Sequence, residues 1–306
     1  MGVSPDDRPG LRPADVVATS GATLACAVVV LSGRWVPGWE RSALTFGLLA
    51  AAVPLLRWLA MRFPRVRAFD AAASMWMGLA APLGHTQLGP VVDAVSTHLH
   101  DRDLALWDLR VFGGHPSVWA GHALPGWAMD VLLLCYYTYF VWPAVLAIAL
   151  YRRPDRTAFD RYALAMSICL TTNFILYALV PAVGPRFYLA SLFDRPLGGT
   201  YVAPYLESLM RTPAFLRDCF PSGHTAATVL GLGFAWRYAR RVFWPMLPVG
   251  VGLIVATVAG RFHYGVDCLC AIPLAAFCAA VGAAIVRGAR APEPERRPVP
   301  AWRWIT

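Results

Sequence analysis

The chain has 306 residues, of which 58% are hydrophobic and only 15% are charged, and its mean hydropathy is +0.51. These values are too apolar for an ordinary soluble domain and indicate a polytopic membrane protein. Basic residues exceed acidic residues, 27 against 18, but they are scattered in loops between apolar runs. That scatter is typical of membrane topology rather than of a binding face, so we expect no nucleic acid as a partner.

All of the basic residues are arginines, because the sequence contains no lysine. This excludes Schiff-base chemistry and phosphate binding by lysine, so every cationic role falls to arginine. The seven cysteines are odd in number and, except for Cys219, lie inside apolar segments. A disulfide framework is therefore not expected. We interpret Cys219 as a bystander, because no second loop cysteine can pair with it and no base is placed beside it.

The apolar runs predict an all-α, polytopic membrane helical bundle, because about 20 apolar residues cross a bilayer. Residues 1–14 are polar and proline-rich, which predicts a disordered cytoplasmic tail, and residues 288–306 predict a second one. Between them, residues 15–84 form the N-terminal transmembrane helices and residues 127–287 a transmembrane core. The candidate spans, about eight in number, cover residues 15–32, 42–60, 68–84, 127–150, 160–181, 222–239, 243–261 and 264–287.

Two long connections separate these helices. Residues 85–126 combine histidines and charged residues with interleaved apolar ones, which predicts an extracytoplasmic loop with an amphipathic helix at the membrane surface. In this loop Asp101, Asp103 and Asp108 could bind a polyol headgroup, and pairing with Arg102 and Arg110 as surface charges explains them about as well. Residues 182–221 form the second long loop, with a possible surface helix at 201–211.

The arginines predict the orientation of the bundle. Most of them lie at one set of helix ends, and the arginine-rich side of a membrane protein is cytoplasmic. Both termini are then cytoplasmic, and the polar motifs described next lie on the outward face. We expect an integral protein of a bacterial cytoplasmic membrane.

The first motif is Pro221-Ser222-Gly223-His224, at the start of an apolar run. Proline and serine are favoured at helix starts, where serine can cap free backbone N–H groups. A helix start binds phosphate well, and glycine lets the anion approach the backbone. The pattern predicts an anion site near Ser222 and Gly223 with His224 beside it.

The second motif contains His263 and Asp267, which are four residues apart and would share a helix face. The carboxylate can then hold one imidazole nitrogen, which leaves the other nitrogen as a nucleophile toward phosphorus. Arg186, in a Gly-Pro-Arg turn, would supply a guanidinium to the phosphoryl oxygens. His263 and Asp267 could instead be a structural pair or metal ligands. We rank the metal interpretation lower, because no cysteine or glutamate lies near them at ligand spacing.

At these residues the sequence resembles the type 2 phosphatidic acid phosphatase superfamily. Its members carry a Lys-to-Arg-Pro motif, a Pro-Ser-Gly-His motif, and a motif that runs from Ser-Arg through His to Asp. The resemblance implies that His263 forms a phosphohistidine, that Asp267 orients it, and that His224 is the general acid. It also implies phosphate binding by Arg186 with the Ser222 and Gly223 region, and it implies no metal or cofactor.

The sequence departs from the family pattern at two basic positions. The lysine of the first motif falls at Leu179, and the Ser-Arg of the third falls at Ala256 and Thr257. Arg261 follows Thr257 by one helical turn, so we expect it to bring a guanidinium to a similar place.

The forms of the motifs, and the segment from residue 101, look more like the branch of inositol phosphorylceramide synthases and their bacterial relatives. The resemblance thus implies a lipid phosphatase or headgroup phosphotransferase in residues 127–287. Its substrate would be a lipid phosphate or phospholipid in the bilayer, with a polyol as a possible acceptor. The alternative is a membrane transporter or scaffold that retains these residues without turnover.

Overall fold

The computed structural model describes residues 10–194, 196–199, 201–209 and 217–289. Most of the two predicted tails, at 1–14 and 288–306, lies outside these ranges. All regular structure in the described residues is helical, which confirms the all-α prediction. The helices are α1 (Pro13–Ser32), α2 (Trp39–Arg62), α3 (Arg67–Thr86), α4 (Gly89–Val95), α5 (Asp101–Phe112), α6 (Pro116–Ala123), α7 (Gly126–Tyr137), α8 (Val141–Tyr151), α9 (Thr157–Leu179), α10 (Pro185–Tyr188), α11 (Val202–Leu209), α12 (Gly223–Tyr238), α13 (Arg240–Ala259) and α14 (Gly265–Ala289).

Six helical stretches of the described chain are long and apolar enough to cross a membrane: α1, α2, α7 with α8, α9, α13 and α14. The other two predicted spans are present as α3 and α12. Neither helix is both long and apolar enough to count as a strong candidate span. Helix α12 has only 16 residues, and α3 carries Asp70 and His85 in its end turns. The structure therefore supports an integral membrane protein, with six strong candidate spans.

The predicted span at 127–150 is interrupted. A 3-10 turn at Thr138–Phe140 joins α7 to α8, and the long loop 85–126 contains three short helices, α4 to α6. The sequence predicted a single helix at the membrane surface here. One of the three helices, α5, has a buried face, which is formed by Asp101, Leu104, Ala105 and Asp108. That face packs toward α10 and α14.

Helix α9 is the central element of the bundle, because it contributes to two hydrophobic clusters. Phe159 and Tyr162, near its start, pack with Leu146 of α8 and Met246 of α13. Farther along, Tyr177 joins a second cluster with α1, α2, α3 and α4. The N-terminal helices are thus fixed against the core through α9.

A buried charge cluster joins the starts of α1 and α3 to the end of α2. Arg57 is 1% exposed and binds both carboxylate oxygens of Asp15, with Nε–Oδ2 at 2.7 Å and Nη2–Oδ1 at 3.2 Å. It also pairs with Asp70, which accepts hydrogen bonds from Tyr151 of α8 and from Arg12. Charged groups inside a membrane bundle require partners of opposite charge, and here Arg57 and the two aspartates are partners for each other.

Replacement of Arg57 by alanine is expected to destabilise the protein by about 3–5 kcal/mol, because Asp15 would remain buried without its countercharge. The measurement is thermal unfolding of the purified protein in detergent. Arg62→Ala, an exposed position on the same helix, is the control and should change stability by no more than about 0.5 kcal/mol. Equal unfolding temperatures for the two variants would contradict the importance of this cluster.

Candidate active site

The Pro221-Ser222-Gly223-His224 motif begins a helix, as predicted. Ser222 precedes α12 and its Oγ accepts a hydrogen bond from the Thr225 N–H at 3.3 Å. Gly223 N–H donates to the hydroxyl of Tyr177 at 3.1 Å, and a Cβ added at Gly223 would lie 2.5 Å from that oxygen. The glycine is therefore required for the close approach of α12 to α9. Its N–H already has a partner, and phosphate binding there remains a prediction.

His224 lies in an aromatic environment and is half-buried. The ring centroids of Tyr139 and Tyr136 lie 4.1 Å and 4.6 Å from that of His224. Tyr136 lies in the last turn of α7 and Tyr139 in the 3-10 turn that follows it. The end of α7 and the interruption after it thus place two aromatic rings against a candidate catalytic side chain.

The structure brings the two predicted catalytic histidines together, with 6.1 Å between their ring centroids. His263 lies just before α14, which begins at Gly265, so the prediction that His263 and Asp267 share a helix face is wrong. Nδ1 of His263 lies 2.7 Å from the carbonyl oxygen of Cys219 and 3.4 Å from Oδ2 of Asp267. A carbonyl oxygen can only accept, so the neutral ring carries its proton on Nδ1. The lone pair is then on Nε2.

Cys219 contacts both members of the second motif, so its interpretation as a bystander is wrong. Its Sγ lies 3.0 Å from Oδ2 of Asp267 and 3.8 Å from Nδ1 of His263. Burial and the nearby carboxylate raise the pKa of the Cys219 thiol well above its usual value, so the thiol is protonated and donates to Asp267. The fold also overturns the argument that no cysteine lies at ligand distance from this pair.

Asp267 is fully buried in the first turn of α14. Its Oδ2 also accepts a hydrogen bond from the Tyr264 N–H at 2.8 Å. The carboxylate therefore caps the start of its own helix while it faces His263.

Two aspartates of α5 hold the loops that carry the motifs. Asp101 accepts hydrogen bonds from the N–H groups of Val183 and Gly184 at 2.9 and 2.8 Å, and from the Tyr264 hydroxyl at 2.9 Å. Asp108 accepts from the first N–H groups of α14, at 3.1 and 2.9 Å. Both carboxylates are essentially inaccessible to solvent. Neither of the roles expected from the sequence, polyol binding or surface charge pairing, fits these two residues.

The backbones of Arg186 and Arg261 meet, because the Arg186 N–H donates to the Arg261 carbonyl oxygen at 3.0 Å. Arg261 does not share a helix face with Thr257 as predicted, since α13 ends at Ala259 and Arg261 has a φ of 66°. Its guanidinium lies 4.0 Å from the ring centroid of Phe193, and Nη2 lies 3.4 Å from the Pro196 carbonyl oxygen. Arg186, in the short helix α10, is thus joined through its backbone to Arg261, in the segment between α13 and α14.

The model of the PAP2 superfamily matches residues 102–281, which include every candidate site residue. The chain belongs to the PAP2 superfamily. It is also similar to a PA-phosphatase related-family protein of Dictyostelium discoideum, with 24% identity over 259 residues. That alignment covers 69% of this chain and 45% of the relative, so the chain spans about half of the relative's length. No solved structure matches the chain significantly.

The stability of this PAP2 protein is expected to depend on the ionisation of Asp108. Burial raises the pKa of Asp108 from 3.8 to about 6, although hydrogen bonds from Val266 and Gly265 lower it. The folded state therefore binds this proton more tightly than the unfolded state, and stability falls as the pH rises from about 4 to 6. The full effect corresponds to about 3 kcal/mol.

The test compares thermal unfolding of the wild type and Asp108→Asn between pH 4 and pH 7. The difference in stability between the two proteins should shift in favour of the variant as the pH rises. A difference that is constant across this range would contradict the raised pKa of Asp108.

Proposed function

We propose that this protein is an integral-membrane lipid phosphatase or lipid headgroup phosphotransferase that acts through a phosphohistidine on His263. The observation that carries the proposal is the hydrogen bond from His263 Nδ1–H to the Cys219 carbonyl oxygen. It fixes the tautomer in which Nε2 has a lone pair, and it does so beside a second histidine. An oriented neutral imidazole is a competent nucleophile.

In the proposed first step, Nε2 of His263 attacks phosphorus as the bond to the leaving oxygen breaks. His224 donates a proton to that oxygen. Arg186, Arg261 and backbone N–H groups near Ser222 and Gly223 stabilise the negative charge on the phosphoryl oxygens. In the second step, water or a hydroxyl acceptor attacks the phosphohistidine, and His224 takes its proton. Hydrolysis and transfer differ only in this acceptor, and neither step requires a metal.

We further propose that the site faces outward and that α3 and α12 complete a bundle of about eight spans. The two ends of α9 support this topology. Near its start, Asp160 contacts Arg12 at 3.4 Å, whereas Tyr177 near its end contacts Gly223 at 3.1 Å. The intervening helix is about 25 Å long, which is close to the thickness of the hydrocarbon layer. These contacts support a topology in which the arginine-rich helix ends and the candidate site lie on opposite sides of the bundle.

The substrate we propose is a phosphorylated lipid that reaches the site from the bilayer. The Gly-Pro-Arg form of the first motif and the branch resemblance favour transfer to a polyol such as inositol. Water is the competing acceptor.

Replacement of His263 by alanine is expected to reduce turnover by at least about a thousandfold, because no other group replaces the attacking nitrogen. The assay measures phosphate release and new lipid product from a panel of lipid phosphates and phospholipids, with and without inositol. His98→Ala, an exposed histidine of the 85–126 loop, is the control and should retain wild-type activity.

Phosphate release that His263→Ala abolishes would establish a phosphatase, and an inositol-dependent lipid product would establish a transferase. Trapping of a phosphate label on the wild type, but not on His263→Ala, would identify the intermediate. Turnover unaffected by His263→Ala would refute the phosphohistidine mechanism. Absence of turnover with every substrate would favour the transporter or scaffold alternative.

Arg261→Ala is expected to lower kcat by about a hundredfold, if its guanidinium stabilises the developing phosphoryl charge. Arg261→Lys should recover part of this loss, because it restores the charge without the planar fork. The control is Arg110→Ala at an exposed position of α5. Wild-type kcat in a stably folded Arg261→Ala protein would contradict this role for Arg261.

A further inference from the structure

We propose that Cys219, His263 and Asp267 form a binding site for a zinc ion, and that zinc bound there switches His263 off as a nucleophile. The site consists of one sulfur, one nitrogen and one oxygen donor, which is a donor set that zinc accepts. The inhibitory effect rests on the proposed function of His263, whereas the binding of zinc does not.

The distances between the three donor atoms fit a tetrahedral zinc ion. Sγ of Cys219 lies 3.0 Å from Asp267 Oδ2 and 3.8 Å from His263 Nδ1, and the last two atoms are 3.4 Å apart. Zinc bonds of about 2.0–2.3 Å at tetrahedral angles place neighbouring donors about 3.3–3.6 Å apart. The separations of the three donor atoms thus suit zinc, but the Cys219 carbonyl oxygen, which lies 2.7 Å from Nδ1, must move away before the metal can bind that nitrogen. The fourth position is left for water.

The carboxylate of Asp267 supplies an independent indication of a cation. Asp267 is fully buried, and its Oδ1 has no hydrogen-bond partner among the described residues. Buried carboxylate oxygens are normally paired, because burial without a partner is costly. A zinc ion bound at Oδ2 would balance the charges of this buried carboxylate and of the Cys219 thiolate, so the cluster would carry no net charge.

Zinc binding changes the protons of the site in a defined way. The Cys219 thiol loses its proton to solvent, so one proton is released per zinc ion bound. Zinc takes the Nδ1 position of His263, and the proton that Nδ1 carried moves to Nε2. The hydrogen bond to the Cys219 carbonyl oxygen is lost at the same time. Nε2 then has an N–H group in place of the lone pair that attacks phosphorus, so the metal-bound ring cannot form a phosphohistidine.

The first experiment measures zinc bound at equilibrium to purified protein in detergent, after metal removal with a chelator. His98 and His100, whose rings lie 4.8 Å apart in the 85–126 loop, are first replaced by alanine to remove adventitious zinc. In this background we expect one zinc ion per chain and release of one proton. Cys219→Ala should weaken the affinity by at least about tenfold. Cys270→Ala removes an exposed cysteine of α14 and should change nothing.

Two further readouts separate binding from inhibition. Cobalt in place of zinc should give a thiolate-to-metal charge-transfer absorption that is lost in Cys219→Ala and kept in Cys270→Ala. Turnover, normalised to each protein's zinc-free rate, should fall with zinc in step with occupancy and should recover on addition of chelator. The zinc concentration for half inhibition should rise at least about tenfold in Cys219→Ala.

Failure of the protein to bind zinc, or equal affinity in wild type and Cys219→Ala, would overturn the proposed site. Stoichiometric binding without loss of turnover would overturn the switch. If the metal-free protein has no activity, the proposed function fails, but the stoichiometry, the proton release and the cobalt spectrum still decide whether the zinc site exists.

Discussion

The hydrogen bond between Nδ1–H of His263 and the Cys219 carbonyl oxygen is the interaction on which the candidate site depends. It joins the segment that precedes α12 to the segment that precedes α14, and so brings two motifs together across 44 residues of sequence. It also determines which imidazole nitrogen is free. Because a backbone carbonyl is the acceptor, the tautomer does not require a charged Asp267. The carboxylate can then cap α14 through Tyr264 and accept from the Cys219 thiol at the same time.

Helix α5 stabilises this arrangement by satisfying backbone groups that would otherwise be buried without partners. Asp101 occupies both N–H groups of the Val183–Gly184 turn, and Asp108 occupies the first two of α14. Burial of two carboxylates is costly, but hydrogen bonds from backbone and hydroxyl donors offset that cost. The candidate site is therefore held by polar contacts from outside the membrane spans, while the hydrophobic clusters around α9 position the spans themselves.

The features that could be predicted from the sequence are those set by local pattern. Apolar runs predicted α9 and α14 to within a few residues, and Ser222 predicted the start of α12. Contacts between distant segments could not be predicted in this way, since nothing in the local sequence links Cys219 to Asp267 or Asp101 to Gly184. The spacing of His263 and Asp267 predicted that the two side chains lie close together. It did not predict that His263 lies before the helix that contains Asp267. The chain adopts a left-handed conformation at Arg261, so α14 begins only after His263.

The two positions of α13 at which the resembled motif carries Ser-Arg leave no room for a guanidinium. Ala256 and Thr257 are completely buried on α13, and the Thr257 hydroxyl donates to the Ile254 carbonyl oxygen at 2.6 Å and contacts the Cys268 sulfur at 3.2 Å. A guanidinium at either position would displace this packing and carry an unpaired charge into the bundle. Beyond the end of α13 the backbone is free of helical constraint. There the Arg261 carbonyl oxygen binds the Arg186 N–H, so the two arginines are joined through their backbones rather than through a shared helix face.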